Sequence, residues 1–201
     1  MQMSGSDHSH APSQPLVNSK GLGIRNVMME YESLIALGVF AVICLTAAST
    51  GAKYGPDEWY RSIDKPWWIP PNWAFAPAWM LFYTLLAVAG WVAWREGGGS
   101  AANPLPAALF VPLALYVLHV ITNAVWSPLF FGMHRIDYAL IDSAAMWLTL
   151  VATIFAFAEV STLATWLLVI YLGWVTFAFL LNLSVLRLNR DRLPETAPTR
   201  H

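Results

Sequence analysis

Charged side chains are scarce in this chain of 201 residues, of which Asp, Glu, Lys and Arg make up 11% and hydrophobic residues 57%. A soluble domain usually carries about 25% charged residues, so much of the surface of this protein is not made for contact with water. The formal net charge is −1. The chain therefore lacks the positive excess that is typical of nucleic-acid binding, and no nucleic-acid partner is expected.

Cysteine is nearly absent as well, because Cys44 is the only one and lies in an apolar run. One thiol cannot close a disulfide within the chain or build a cysteine-based metal site. The sequence also shows no nucleophile with a partner base and no acid–base pair of the kind that enzymes use. We therefore expect no metal site and no required cofactor, and interpret Cys44 as a packing residue.

What the chain does contain is long runs almost free of charge. A bilayer core about 30 Å thick needs roughly 20 apolar residues of helix, and backbone polar groups cannot be left bare in lipid, so each run predicts a spanning helix. The runs are residues 33–50, 73–94, 104–133, 138–158 and 160–186. Short connections make sequential helices antiparallel. The sequence thus predicts an all-α membrane protein, a bundle of five transmembrane helices.

Both ends of the chain are polar. Residues 1–32 are rich in Ser, Gly and Pro without periodicity, which predicts a disordered N-terminal tail. A five-helix domain is predicted over residues 33–189, and a flexible C-terminal tail over 190–201. His8 and His10 in the first tail are interpreted as solvated side chains rather than metal ligands.

Lysine and arginine are distributed unevenly between the two sides of the predicted bundle. With five spans, the side of the N-terminus carries Lys20, Arg25 and Arg95, and the other side carries Lys53, Arg61, Lys65, Arg135, Arg187, Arg190, Arg192 and Arg200. The positive-inside rule then predicts that the C-terminus and the loop at 51–72 (the first loop) face the cytoplasm, with the N-terminus outside. We expect a bacterial cell membrane, with an outer membrane as the alternative.

Tryptophan is unusually frequent, with 11 residues. Those near the ends of the apolar runs fit an aromatic belt at the membrane interface: Trp59, Trp67, Trp68, Trp91 and Trp94. Others lie deeper in the runs, among them Trp79, Trp126 and Trp174. The belt therefore does not account for all of them.

Helical spacing groups the deeper tryptophans with polar residues. Asn123 and Trp126 share a face of the third run, and Trp174, Ala178 and Asn182 follow at i, i+4 and i+8 in the fifth. An asparagine in hydrocarbon needs a partner, so both faces are expected to point inward. Aromatic walls with a few polar groups and a small residue favour a pocket for a flat apolar ligand. The alternative is plain helix-on-helix packing.

Two ionisable residues within the runs leave alternatives open. His119 lies on the same face as Asn123, and is interpreted either as a hydrogen-bonded packing residue or as an axial haem ligand. Asp142 lies about one turn into the fourth helix, where it is either a functional carboxylate or a residue that reaches water or Arg135.

The stretch KPWWIPPNW at residues 65–73 cannot form regular helix. Its prolines remove backbone donors and bias the preceding residues to extended conformations. Irregular backbone at a membrane edge is tolerated where protein or water covers it. We therefore expect the first loop to form a stiff lid over the bundle, with Tyr60 and Trp67 beneath it.

Three long stretches of the sequence are similar to one known family. They are WYRSIDKPWWIPPNWAFAPAWMLFY at 59–83, NAVWSPLFFGMHR at 123–135 and YLGWVTFAFLLNLSVLRLN at 171–189. From about Leu34 to Asn189 the chain resembles the TspO/translocator-protein family, the tryptophan-rich sensory proteins also called peripheral-type benzodiazepine receptors. The five-helix bundle of that family agrees with the five spans counted above.

The resemblance implies a ligand pocket at the first-loop end of the bundle, and a homodimer in the membrane lipid. Members of the family bind porphyrins, and many bind sterols and synthetic isoquinolines. Carried over position by position, the pocket would be lined by Tyr60, Pro71, Trp79, Asn123, Trp126, Trp174 and Ala178. The sterol motif of the animal proteins centres on a tyrosine, which is absent from LNLSVLR here, so sterol binding is expected to be weak.

Three functions follow from the resemblance. The first is a sensory or regulatory receptor that binds a tetrapyrrole, either protoporphyrin IX or haem, as a ligand. The second is an enzyme that breaks down protoporphyrin IX in light, with Trp79 and Trp174 as candidate redox residues. The third is a transporter of porphyrin or lipid, against which the chain shows no internal repeat.

Overall fold

The computed structural model describes residues 19–192, and regular secondary structure in that range is helical. The helices are α1 (Ser19–Lys53), α2 (Glu58–Ser62), α3 (Asn72–Glu96), α4 (Phe110–Ser127), α5 (Ile136–Ala158) and α6 (Thr162–Leu188). Short turns of 3-10 helix at Ala107–Leu109 and Arg190–Arg192 and a π-helical turn at Pro128–Gly132 complete the chain. The predicted all-α fold is confirmed.

Five helices in the described range are long and apolar enough to cross a membrane. They cover Val27–Lys53, Asn72–Glu96, Ala107–Gly132, Ile136–Ala158 and Thr162–Leu188. Each run of low charge in the sequence corresponds to one of them, so the prediction of five spanning helices is confirmed. The protein is an integral membrane protein.

Helix α1 begins earlier than the sequence pattern predicts. Residues 19–32 are helical, although they fall within the predicted disordered segment 1–32. No proline interrupts the chain between Ser19 and Lys53, so nothing in it breaks the helix. Two contacts with other segments also hold this region: Glu32 Oε2 accepts from the Ala101 N–H at 3.2 Å, and the Trp91 indole N–H donates to Ser33 Oγ at 3.0 Å. Residues 1–18 and 193–201, including His8 and His10, lie outside the described residues.

Small residues on α3 let the bundle close tightly at the end away from the first loop. Ala89 and Ala93 are fully buried. A Cβ added at Gly90 would lie 2.6 Å from the Phe40 ring and 2.9 Å from the Tyr116 ring. The three helices α1, α3 and α4 therefore approach closely only because position 90 carries no side chain.

The π-helical turn shapes the opposite end of the bundle. It continues α4 from Pro128, which lacks a backbone N–H, and ends at Gly132. A Cβ at Gly132 would lie 2.8 Å from the Tyr54 ring, so glycine allows the turn to lie against the start of the first loop. The turn thereby carries Phe130 and Phe131 toward the ring of Tyr60 on α2.

Candidate functional site

Helix α2 places Tyr60 under the first loop. Asp57 caps the helix, because its Oδ1 accepts the Tyr60 N–H at 2.9 Å. This hydrogen bond, together with His134 nearby, holds the pKa of the Asp57 carboxyl below its usual range. The Tyr60 side chain is only 7% exposed, and its burial raises the pKa of the phenol. The sequence prediction that Tyr60 lies beneath the lid agrees with this position.

The proline-rich stretch that follows turns one tryptophan inward and one outward. Trp68 contacts the Phe177 ring edge-to-face with 5.7 Å between centroids. Trp67 is 94% exposed, so the prediction that it lies beneath the lid is wrong. The two lie side by side in a tight turn after Pro66, where neighbouring side chains diverge, and no periodic pattern tells which one faces inward.

Asn189 clamps the first loop to the end of α6. Its Oδ1 accepts the Asp64 N–H at 2.9 Å, and its Nδ2 donates to the Asp64 carbonyl at 2.8 Å. Nδ2 also donates to the Val185 carbonyl at 2.8 Å, and the side chain is 2% exposed. One buried carboxamide thus joins backbone segments 125 residues apart in sequence.

His134 provides a second attachment for the loop. Its Nε2 lies 2.9 Å from Asp57 Oδ2, and its ring stacks on Trp59 with 4.3 Å between centroids. Trp59 in turn contacts Phe130 edge-to-face. The loop is therefore fastened both to the end of α6 and to the turn between α4 and α5.

Between the first loop, which forms a roof, and the helical bundle lies a cavity of about 420 Å³. All five spanning helices and the first loop contribute to its wall. Six of the seven sequence-predicted pocket residues line it: Tyr60, Trp79, Asn123, Trp126, Trp174 and Ala178.

Pro71 is the predicted residue that does not line the cavity. It is exposed, and its extended backbone immediately precedes α3. The next residue, Asn72, lines the wall instead. Pro71 therefore fixes where α3 begins, which sets the height at which Trp79 enters the cavity.

The wall also contains aromatic and polar residues that sequence reasoning did not select. Phe75 and Tyr83 lie at i−4 and i+4 from Trp79 on α3, so helical spacing alone was enough to find them. Phe130 and Phe131 gave no such signal, because they lie in the π-helical turn, where the 3.6-residue period fails. Ser143 on α5 faces the cavity across from α6.

Trp174 is the centre of the aromatic contacts. It lies edge-to-face with Trp79 at 5.9 Å between ring centroids, and stacks on Phe82 and Phe177 at 5.3 Å each. Rings held on two or three sides in this way have little rotational freedom. The indoles therefore form a fixed surface rather than a mobile filling.

Asn123 is held by a chain of hydrogen bonds that runs away from the cavity. The Tyr83 hydroxyl donates to Asn123 Oδ1 at 2.6 Å, and Asn123 Nδ2 donates to the Tyr171 hydroxyl at 2.5 Å. The Tyr171 oxygen lies 3.3 Å from His119 Nε2, and His119 Nδ1 lies 3.2 Å from the Met146 carbonyl. Since that carbonyl only accepts, Nδ1 carries the hydrogen and Nε2 accepts from Tyr171.

The position of His119 separates the two interpretations of that residue. It is fully buried and is not part of the cavity wall, and both of its ring nitrogens have partners. The structure thus gives it the role of a hydrogen-bonded packing residue.

Arg135, which the sequence offered as a partner for Asp142, instead pairs with Asp137 at 2.5 Å.

Five spanning helices with a roofed aromatic cavity at one end define the class: an integral membrane protein built around an internal pocket. The chain matches the model of the TspO/MBR family over residues 34–188 and belongs to that family. The resemblance seen in the three sequence stretches is therefore confirmed.

Relatives from bacteria and animals match most of the chain. The tryptophan-rich sensory protein of Cereibacter sphaeroides is 42% identical over 154 residues, which cover 76% of this chain and 90% of the relative. Protein CrtK of Rhodobacter capsulatus is 38% identical over 164 residues, with 82% and 99% covered. The translocator protein of Sus scrofa is 38% identical over 135 residues, with 67% and 77% covered.

Proposed function

We propose that this protein is a sensory or regulatory receptor of the membrane that binds a porphyrin, either protoporphyrin IX or haem, in the cavity. The observation that carries the proposal is the wall itself. It presents the indoles of Trp79, Trp126 and Trp174 together with the fixed carboxamide of Asn123 beneath the first loop. A flat aromatic macrocycle stacks well on indole faces, and a few fixed polar groups orient it.

The size and polarity of the cavity support this ligand class. Its volume of about 420 Å³ lies within the range of roughly 300–1,000 Å³ that is usual for small-molecule pockets. The porphyrin is a ligand here and not a required cofactor. Sterols are expected to bind weakly, since the tyrosine of the sterol motif is absent.

The orientation and assembly of the receptor belong to the same proposal. The excess of Lys and Arg on the first-loop side supports a topology in which that loop and the C-terminus face the cytoplasm of a bacterial cell, with the N-terminus outside. Ligand binding beneath the loop would then be sensed on the cytoplasmic face. A homodimer in the membrane is the expected assembly, from the family resemblance.

Blocking the cavity tests the proposal. Ala178→Leu adds a side chain to the wall beside Trp174, so we expect it to weaken porphyrin binding by more than 10-fold because it occupies the ligand volume. Gly173→Leu is the matched control, because a Cβ at Gly173 points into open space on the same helix. Binding is measured in the dark from the shift of the porphyrin absorbance band. Equal affinity in both variants would overturn the cavity as the site.

A second candidate function is favoured by the contact between Trp79 and Trp174. Both indoles line the cavity and touch each other, so a photoexcited porphyrin held there would face two oxidisable rings. The candidate reaction is light-dependent breakdown of protoporphyrin IX with molecular oxygen as the oxidant.

Illumination separates the candidates. For the enzyme, the porphyrin band should decline in light and not in darkness, and Trp79→Phe combined with Trp174→Phe should stop the decline without preventing binding. Trp166→Phe, on a ring that is 62% exposed on α6, is the control. A stable band with intact binding in light favours the receptor, and accumulation of porphyrin inside sealed vesicles favours a transporter.

A further inference from the structure

Asn182, a further asparagine in the cavity wall, has a fixed amide orientation. Its Nδ2 donates to Ser143 Oγ at 3.3 Å, and the Ser143 hydroxyl donates to the Ala139 carbonyl at 2.8 Å. A serine hydroxyl has one hydrogen. Because that hydrogen already goes to Ala139, Ser143 can only accept from Asn182. The nitrogen of Asn182 therefore faces Ser143, and the carbonyl oxygen Oδ1 is the atom left for another partner.

Asn182 Oδ1 is a buried acceptor on a residue that lines the cavity. The side chain is 2% exposed, and Oδ1 has no hydrogen-bond partner within the part of the chain that the structure describes. Asn182 and Ser143 both line the cavity. A buried polar atom without a partner is uncommon in native proteins and requires an explanation. A ligand group that donates to it supplies one.

The surroundings of this oxygen restrict the kind of donor. Among the described residues that line the cavity, none is Lys, Arg, His, Asp or Glu. An ionised ligand group at Asn182 would be buried without a counter-charge, which is strongly unfavourable. A carboxylate would in addition set its own acceptor oxygens against Oδ1. The group that fits is an uncharged N–H or O–H donor.

Trp174, on the same helix as Asn182, supplies a hydrogen-bond donor rather than an acceptor. Its indole N–H is buried and has no acceptor among residues 19–192. An indole N–H can only donate. Trp174 and Asn182 are eight residues apart on α6, which corresponds to about 12 Å of helix rise. The wall thus offers a donor at one level and an acceptor at another.

We propose that Asn182, oriented by Ser143, is a ligand-binding residue that accepts a hydrogen bond from an uncharged N–H or O–H group of the bound molecule. The inference rests on the proposed function, to which it adds a preference for the peripheral groups of the porphyrin. A porphyrin with amide or protonated carboxyl side chains provides the donor. A porphyrin with esterified side chains has no donor at its periphery.

The test compares two uncharged porphyrins that differ in this donor. Protoporphyrin IX bis-amide carries N–H groups on its side chains and the dimethyl ester carries no donor there, while both share the same two inner pyrrole N–H groups. Dissociation constants are measured in the dark for the full chain in detergent and for Asn182→Leu, which replaces the carboxamide by an apolar group of similar shape. Ser184→Ala is the control on the same helix, since the Ser184 hydroxyl donates to the Leu180 carbonyl and the residue does not line the cavity.

We expect the natural chain and Ser184→Ala to bind the amide roughly 10-fold more tightly than the ester. In Asn182→Leu the preference disappears, while the affinity for the ester stays the same. The variant should fold normally, because the acceptor that it removes lacks a protein partner and Ser143, which loses the long bond from Asn182, keeps its hydrogen bond to the Ala139 carbonyl. Ser143→Ala serves as a second variant, in which the freed amide can rotate and the preference for the amide falls.

The outcomes separate the two proposals. An unchanged preference in Asn182→Leu, or no preference in the natural chain, overturns the role of Asn182 and leaves porphyrin binding standing. Failure of the natural chain to bind either porphyrin overturns the proposed function itself.

Discussion

The two ends of the helical bundle are filled in different ways. At the end away from the first loop, Tyr116 stacks on Phe157, and its hydroxyl contacts both Cys44 Sγ at 3.3 Å and the Leu86 carbonyl at 3.2 Å. At the first-loop end, large aromatic side chains surround a cavity instead of closing it. Asn182 Oδ1 and Trp174 Nε1 there have no partner within residues 19–192.

The difference indicates which end of the bundle contributes most to stability and which end leaves space for a ligand. Close packing with every polar atom paired is what holds a membrane bundle together, because lipid gives no hydrophobic drive between helices. Empty volume and unpaired polar atoms lower stability. Their concentration at one end, under a loop fastened at two points, is the arrangement of a binding site supported by a rigid base.

The largest expected effect comes from a pair of glycines, one at each end. Gly90→Ala places a methyl group 2.6 Å from the Phe40 ring, and should destabilise the protein by about 3 kcal/mol through overpacking. Gly51→Ala at the cavity end meets only Ser127 Oγ at an ordinary 3.6 Å, and should be neutral or slightly stabilising. The free energy of unfolding in detergent measures both effects, and equal losses of stability would contradict the contrast between the two ends.

The second largest effect is expected at the Asn189 clamp. Asn189→Ala removes the two hydrogen bonds to Asp64 and should cost about 2 kcal/mol, expressed as local opening of the first loop rather than of the bundle. Hydrogen exchange at residues 57–64 should accelerate, and bound porphyrin should dissociate faster. Asn103→Ala, an exposed asparagine at the other end, is the control. Unchanged exchange in the loop would show that Asn189 does not hold it.

Two tyrosines test whether hydrogen-bonded hydroxyl groups have different roles at the two ends of the bundle. Tyr83→Phe removes the donor to Asn123 Oδ1, and Tyr116→Phe removes the contacts to Cys44 and Leu86. Each should cost about 1 kcal/mol of stability. Only Tyr83→Phe should also weaken porphyrin binding, because Asn123 is in the cavity wall. A matching loss of affinity in Tyr116→Phe would contradict this separation.

The smallest effect is the pH dependence of the first loop. The pKa of Asp57 in the folded chain is below its ordinary value of 3.8, chiefly because Asp57 accepts the Tyr60 N–H. A carboxyl with a lowered folded pKa contributes stability above its unfolded pKa, and this contribution is lost as the pH falls through the folded value. The protection of residues 58–62 against hydrogen exchange, taken relative to the intrinsic exchange rate at each pH, should therefore fall below about pH 4. Asp57→Asn should make that protection insensitive to pH over this range.

The number of spanning helices could be predicted from the sequence because lipid imposes a length and an absence of charge that are visible residue by residue. The inward faces of α4 and α6 could be predicted too, because Asn123 and Asn182 need partners that lipid does not provide. Phe75 and Tyr83 carried the same helical spacing around Trp79. They were within reach of sequence reasoning and were not selected.

Other features depended on contacts between distant segments. The inward turn of Trp68 and the outward turn of Trp67 depend on a non-periodic loop, and Phe130 and Phe131 reach the cavity through a π-helical turn. The Asn189 clamp joins positions 125 residues apart. No local pattern specifies which of several buried amides will meet which backbone group.

The sequence by itself determined an all-helical membrane bundle with five spans and an aromatic, uncharged interior, since transfer of charge and of bare backbone into lipid is costly at every position. Only the tertiary structure decided that the interior is packed at one end and hollow at the other. That outcome depends on how side chains from all the helices fit together. It also depends on which hydrogen-bonding atoms are left without a partner once the other hydrogen bonds have formed.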